Sequence, residues 1–374
     1  MENIKLKTDG LNGLRAIAAF VVMTFCHYAL FDVCNGLPLN FGVFMYFWTH
    51  GEYFVDLFFV ISGFVINYNY KVKIKREELT FLCYIKKRIH RFYPIMIASL
   101  FFVLLLQILY STVTGGWFAA DKINANTIFT FILNIFCLQS LGLKGNSFNA
   151  SSWYLSAVFI MYIIYYFFTY KYRKYDNDIV IYMISIVFGI ILVEKGYPPY
   201  FAIMLNHRAI IGFFAGCLIC ELCKYFSLIK NGGVMFATYG MILFCIISFF
   251  TLESLYGETM IGCSPTIIWG LLIWPMIIFL VINVKFIGNI LSIKLFQWLS
   301  KISICVYLLH YPIMIMIDLI NRLFDLELNY SSDVVFGIYV VMVVGLSALY
   351  YYISKLNISS IFNKHRCGDG NEKE

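Results

Sequence analysis

The chain has 374 residues, of which 61% are hydrophobic and 13% charged, with a formal net charge of +7. Soluble domains carry about 25% charged residues, so this chain has too little charge to cover a water-facing surface. That balance excludes a soluble globular enzyme, a disordered chain and a nucleic-acid binder, and it leaves the bilayer as the solvent.

In chain order, apolar runs predict spans at 14–33, 53–70, 92–110, 151–170, 179–194, 208–223, 234–252, 265–283, 302–320 and 334–353. A further run at 128–141 is short and holds Asn134 and Gln139. It reads as a re-entrant or interfacial segment. With the N-terminus placed in the cytoplasm, 23 of the 28 Lys and Arg fall on the inner side, which is the positive-inside asymmetry. Counting 128–141 as a span destroys that asymmetry. The expected fold is therefore all-α: a polytopic membrane helical bundle of ten transmembrane helices with both termini cytoplasmic. An integral membrane domain is expected over 1–355, followed by a short polar cytoplasmic tail over 356–374, with no water-soluble domain. The first apolar run contains Arg15 and His27 and lacks a small-residue cleavage site, so no cleavable signal peptide is expected. Cys217, Cys220 and Cys223 have metal-like spacing, but they lie in an apolar helix with no fourth ligand nearby. They read as buried thiols, and no metal is expected.

Ionisable groups inside spans are costly, so each is a functional hypothesis by default. His27 follows Arg15 by twelve residues in the first span, about 18 Å along a helix axis. On position alone this is equally a core histidine beside a snorkelling arginine. Asp56, near the outer end of the second span, comes to a similar depth, so it is expected to orient His27 and raise its basicity. Lys86, Lys87, Arg88 and Arg91 form a basic cluster before Pro94. They read either as an anchor on acidic headgroups or, at a helix start, as a phosphate clamp. Trp153 opens the fourth span, where a belt residue is the plain reading. His310 lies in the ninth span with Pro312 two residues on.

These segments, in this order, resemble the acyltransferase family 3 of integral membrane proteins. The likeness rests on LNGLRAIAAF with His27, VDLFFVISGF, KKRIHRFYP, Trp-Tyr-Leu-Ser at 153–156, and Arg208 with Phe213, Phe214 and Gly216. The last motif is Ser303, Tyr307, Leu308, His310 and Pro312. The likeness runs from about residue 9 to 353. The resemblance implies an O-acyltransferase that moves an acyl group, usually acetyl, from cytosolic acyl-CoA to a hydroxyl of an extracytoplasmic carbohydrate such as O-antigen, capsule or exopolysaccharide. It implies catalytic roles for His27, Asp56 and Arg15, and acetyl-CoA binding by Arg88, Arg91 and Lys87. Acceptor binding falls to Trp153, His310, Tyr307 and Arg208. The expected setting is the inner (plasma) membrane. The expected partners are membrane lipids, acyl-CoA and the acceptor glycan, with a homo-oligomer left open and no nucleic acid.

The chain departs from the family pattern twice. Eleven residues separate Arg15 from His27 where ten are usual, which turns the two about 120° apart in a regular helix. A single π-bulge would restore the register. Val158 stands where many members carry Glu, so no carboxylate acts there. The competing reading is a glycolipid or polysaccharide transporter or flippase, which would use the same basic inner face and buried histidine. Broken paired helices and repeat symmetry would favour that reading, and the sequence has neither.

Overall fold

The computed structural model describes residues 4–31, 36–39, 41–119, 126–141, 148–194, 206–256 and 264–361. Every element among them is helical. α1 (Asp9–Val21) continues into a π turn (Val22–Cys26). α2 (Gly42–His50) leads into α3 (Phe54–Lys75), and α4 spans Phe81–Thr114. α5 (Ile128–Ile135) is short. Then come α6 (Trp153–Lys171), α7 (Asp178–Glu194), α8 (His207–Phe226) and α9 (Gly232–Tyr256). α10 (Pro265–Ile268) and α11 (Trp274–Asn283) flank a second π turn, and α12 (Lys285–Leu291), α13 (Lys294–Phe324) and α14 (Asp333–Ile361) follow.

Among the described residues, nine helical stretches are long and apolar enough to cross a bilayer, and α7 is a shorter apolar helix. Together they sit on the ten expected runs. The run at 128–141 forms α5 and a 3-10 turn (Gln139–Leu141), too short to span. A capping box closes the start of α5: the Thr127 hydroxyl accepts from the Thr130 N–H, and Thr130 Oγ1 accepts from the Thr127 N–H. The expected tail begins within α14, and 362–374 lies outside the described residues.

One helix start differs from expectation. Pro94 and the Arg88–Arg91 pair are expected at the opening of the third span. α4 instead begins at Phe81, where the Thr80 hydroxyl accepts from the Cys83 N–H. Arg88, Arg91 and Pro94 are therefore inside the helix, where no exposed N–H groups are on offer to a phosphate.

Two groups of helices make the bundle. α13 is the most enclosed of the long helices and packs on α1, α4 and α14, while α8 packs on α3, α7 and α11. α3 and α8 run parallel in very close contact. A Cβ on Gly63 would lie within bonding distance of the Phe213 carbonyl oxygen, and one on Gly216 would meet the Val60 carbonyl in the same way. Only glycine permits this approach, through the Gly212-x-x-x-Gly216 stripe typical of membrane helix pairs.

Candidate active site

The first span leaves α geometry just before His27. The His27 N–H donates to the Val22 carbonyl at 3.2 Å, five residues back. The π turn lies between Arg15 and His27, where the extra residue has to be absorbed. His27 thereby faces α13. There His310 is fully buried and Pro312 interrupts the helical ladder. Pro312 leaves the Leu308 carbonyl without its helical donor, and the Asn149 side chain donates to that oxygen at 2.8 Å. His310 Nε2 is 2.8 Å from His27 Nδ1, and His310 Nδ1 is 3.2 Å from the Val306 carbonyl oxygen. The two rings lie 10° from parallel with centroids 4.8 Å apart. That separation exceeds the N···N distance by about a ring's width, so the imidazoles meet edge to edge.

The expected pairing of His27 with Asp56 is therefore corrected. Both Asp56 oxygens are engaged by Arg208, with Nε at 2.9 Å and Nη2 at 3.0 Å. Arg208 Nη2 also donates to the Glu52 carbonyl at 2.8 Å, and the guanidinium stands 5.8 Å from the Trp153 ring centroid. Equal depth on neighbouring spans placed Asp56 near His27. The glycine-mediated approach of α8 decides otherwise, because it brings the first turn of α8 against the first turn of α3. Arg208, Trp153 and Asp56 thus form one cluster at the end where α3, α6 and α8 begin.

A cavity of about 500 Å³ opens between α1, α3, α4, α6, α13 and α14. Arg15, Arg88, Arg91, Lys301 and Lys355 supply its cations, and no Asp or Glu lines it among the described residues. Arg88 is buried, its guanidinium 4.1 Å from the Tyr70 ring centroid and 5.9 Å from that of Tyr162. Its Nε and Nη2 meet no hydrogen-bond acceptor. Aromatic faces hold the cation but leave these N–H groups open to an anion. Lys87 is exposed on α4 and does not line the cavity, so the structure does not bring this expected acyl-CoA residue to the site.

The cavity reaches from the N-terminal ends of α1, α4 and α13 to Phe58 and Tyr154, close to the opposite end of the bundle. Phe58, Tyr154 and Tyr307 close it, with each pair of rings 5.6 Å apart. Tyr307 Oη is buried there without a hydrogen-bond partner. The His310 ring is one helical turn past Tyr307, at 6.0 Å. Val158 is part of the wall, so this stretch of it is apolar. Lys301, Lys355, Tyr70 and Tyr162 were not singled out from sequence. Lys301 precedes the Ser303 motif by two residues, which was the available signal.

A polytopic helical bundle with a basic cavity that no described carboxylate lines, and a hydrogen-bonded imidazole pair of which His310 is fully buried, defines a membrane protein equipped to hold an anion and move a proton. Residues 8–352 match the family described as an acyltransferase domain. The chain belongs to that family, the one its motifs resemble, and is a multi-pass membrane acyltransferase. No curated protein and no solved structure matches it.

Proposed function

We propose that this acyltransferase takes an acetyl group from cytosolic acetyl-CoA and passes it to a hydroxyl of an extracytoplasmic carbohydrate such as O-antigen, capsule or exopolysaccharide, within the inner (plasma) membrane. The observation that carries this reading is the cavity, basic at one end and closing on aromatic rings one turn short of His310 at the other. The cations fit the phosphates of CoA, and the narrow aromatic end fits a pantetheine arm and its thioester. About ten helical residues separate Ser300 at the basic end from His310, roughly 15 Å at 1.5 Å per residue. CoA then has no need to cross the membrane.

In the proposed reaction His27 takes the proton of the acceptor hydroxyl as general base. The oxygen attacks the thioester carbonyl, the C–S bond breaks, and the imidazolium returns its proton to the CoA sulfur. Ester and free thiol are the products. Trp153 and Arg208, at the opposite end from the phosphates, fit the acceptor sugar. The test is transfer of label from radioactive acetyl-CoA to envelope glycan in membrane vesicles. Wild-type vesicles label the glycan. His27→Ala loses about 10²–10⁴ of the rate while the protein remains inserted. Normal labelling by His27→Ala would overturn the assignment.

A further inference from the structure

The tautomers of the histidine pair can be read from what each nitrogen faces. A carbonyl oxygen only accepts, so His310 Nδ1, 3.2 Å from the Val306 carbonyl, carries its hydrogen. In a neutral imidazole the other nitrogen is then an acceptor. His310 Nε2 therefore accepts, and its partner His27 Nδ1 donates across 2.8 Å. That leaves His27 Nε2 with a free lone pair. Val306 C=O, His310 and His27 form one polarised chain ending at a single basic nitrogen.

We propose that His310 is a positioning residue, rather than an acceptor-binding one, that fixes His27 in its Nδ1–H tautomer and so makes Nε2 the base. This deepens the acyl-transfer reading and rests on it for the role of that base. The arrangement does what a carboxylate does beside a catalytic histidine, where the wrong tautomer abolishes proton transfer although the ring stays in place. Here the neighbour is an imidazole whose own orientation is set by the main chain of α13. When His27 takes a proton at Nε2, its Nδ1–H becomes a stronger donor to His310 Nε2, which stabilises the imidazolium as it forms. His310, on α13, is fully buried, which keeps water from competing for the lone pair of its Nε2.

The experiment compares His310→Ala and His310→Gln with wild type in the full-length protein, reconstituted in lipid nanodiscs. The Gln side-chain oxygen can accept from His27 Nδ1–H, and Ala cannot. Imidazole ¹⁵N shifts measured by magic-angle-spinning NMR, with the His27 signals identified by their loss in His27→Ala, report the tautomer without any acceptor sugar. Expected are an Nδ1–H tautomer at His27 in wild type and His310→Gln, and its loss in His310→Ala. In the labelling assay, His310→Ala lowers kcat about 100-fold, with KM for acetyl-CoA changed less than about twofold, and His310→Gln recovers about a tenth or more of kcat. An Nδ1–H tautomer that persists in His310→Ala overturns the proposal, as does a His310→Gln kcat no higher than that of His310→Ala. If His27→Ala transfers acetyl normally, the functional reading fails instead, and the NMR result still decides the pairing.

Discussion

Two basic regions of this bundle differ in what faces their cations. Where α3, α7 and α8 meet, Lys71 is 2.8 Å from Asp178 and 3.1 Å from Glu221. Lys75 is 2.6 Å from Asp178, and Lys224 is 3.0 Å from Glu221. Asn67 donates to Glu221 at 2.6 Å and accepts from Tyr165 and Tyr182, both at 2.8 Å. In the cavity Arg88 faces aromatic rings, its Nε and Nη2 have no acceptor, and among the described residues no carboxylate lines the wall. A network saturated by its own protein has nothing left for a ligand, and it costs several kcal/mol to break. Cations gathered without carboxylates repel one another, and their unpartnered N–H groups remain open to an anion. The first region holds helices together, and the second is the one that the proposed function assigns to substrate.

The largest effect expected from breaking this contrast is on the cavity side. Arg88→Ala and Arg91→Ala should each weaken acetyl-CoA binding by about 1.5–3 kcal/mol, with the double variant about 150-fold or more weaker by calorimetry, and thermal stability little changed. Arg91→Lys should recover part of the affinity, because an ammonium keeps the charge and loses the planar fork. Next comes the saturated side. Glu221→Ala strips partners from Lys71, Lys224 and Asn67, and should cost about 3 kcal/mol of stability, read as a lower unfolding temperature in detergent, while acetyl-CoA affinity per folded molecule holds. Equal loss of affinity in Glu221→Ala would erase the distinction between the regions.

A smaller effect is expected at Asp56. Asp56→Asn keeps the shape, and Arg208 keeps the Glu52 carbonyl and the Trp153 ring, so about 1.5 kcal/mol is at stake. It should appear as a raised acceptor KM with unchanged acetyl-CoA affinity. The least perturbing test asks only which way the cavity opens. A cysteine label at residue 230 should react from the cytoplasmic side and one at residue 328 from outside. Reversed labelling would put the basic mouth on the wrong face for cytosolic CoA.

The helices were legible because each apolar run is long enough to declare itself. α7, shorter than the nine stretches long enough to cross a bilayer, still coincides with its run at 179–194. The need for a π turn was legible as well, since the Arg15–His27 spacing is one residue too long for a straight helix. Partners were harder. His27 meets His310 across 283 positions and Asp56 meets Arg208 across 152, and such pairings depend on which helix faces which. The glycines at 212 and 216 held the missing information for Asp56. Their stripe docks on α3 between Asp56 and Phe64, which carries Arg208, one turn before Gly212, to the start of α3. The start of α4 was misjudged because hydropathy rises only after Arg91. The cap at Thr80 is a local backbone signal that hydropathy does not register.

The π turn before His27 also changes what a motif spacing means. A wide turn takes up one residue without altering the number of turns between the two ends of the segment. Two chains with ten or eleven residues between this arginine and this histidine can then present the same site, and the chain length between them measures turns rather than residues. A single insertion or deletion within 22–26 is thus among the few length changes that a buried membrane helix can absorb in place, and a search that demands a fixed count would separate proteins that share one geometry.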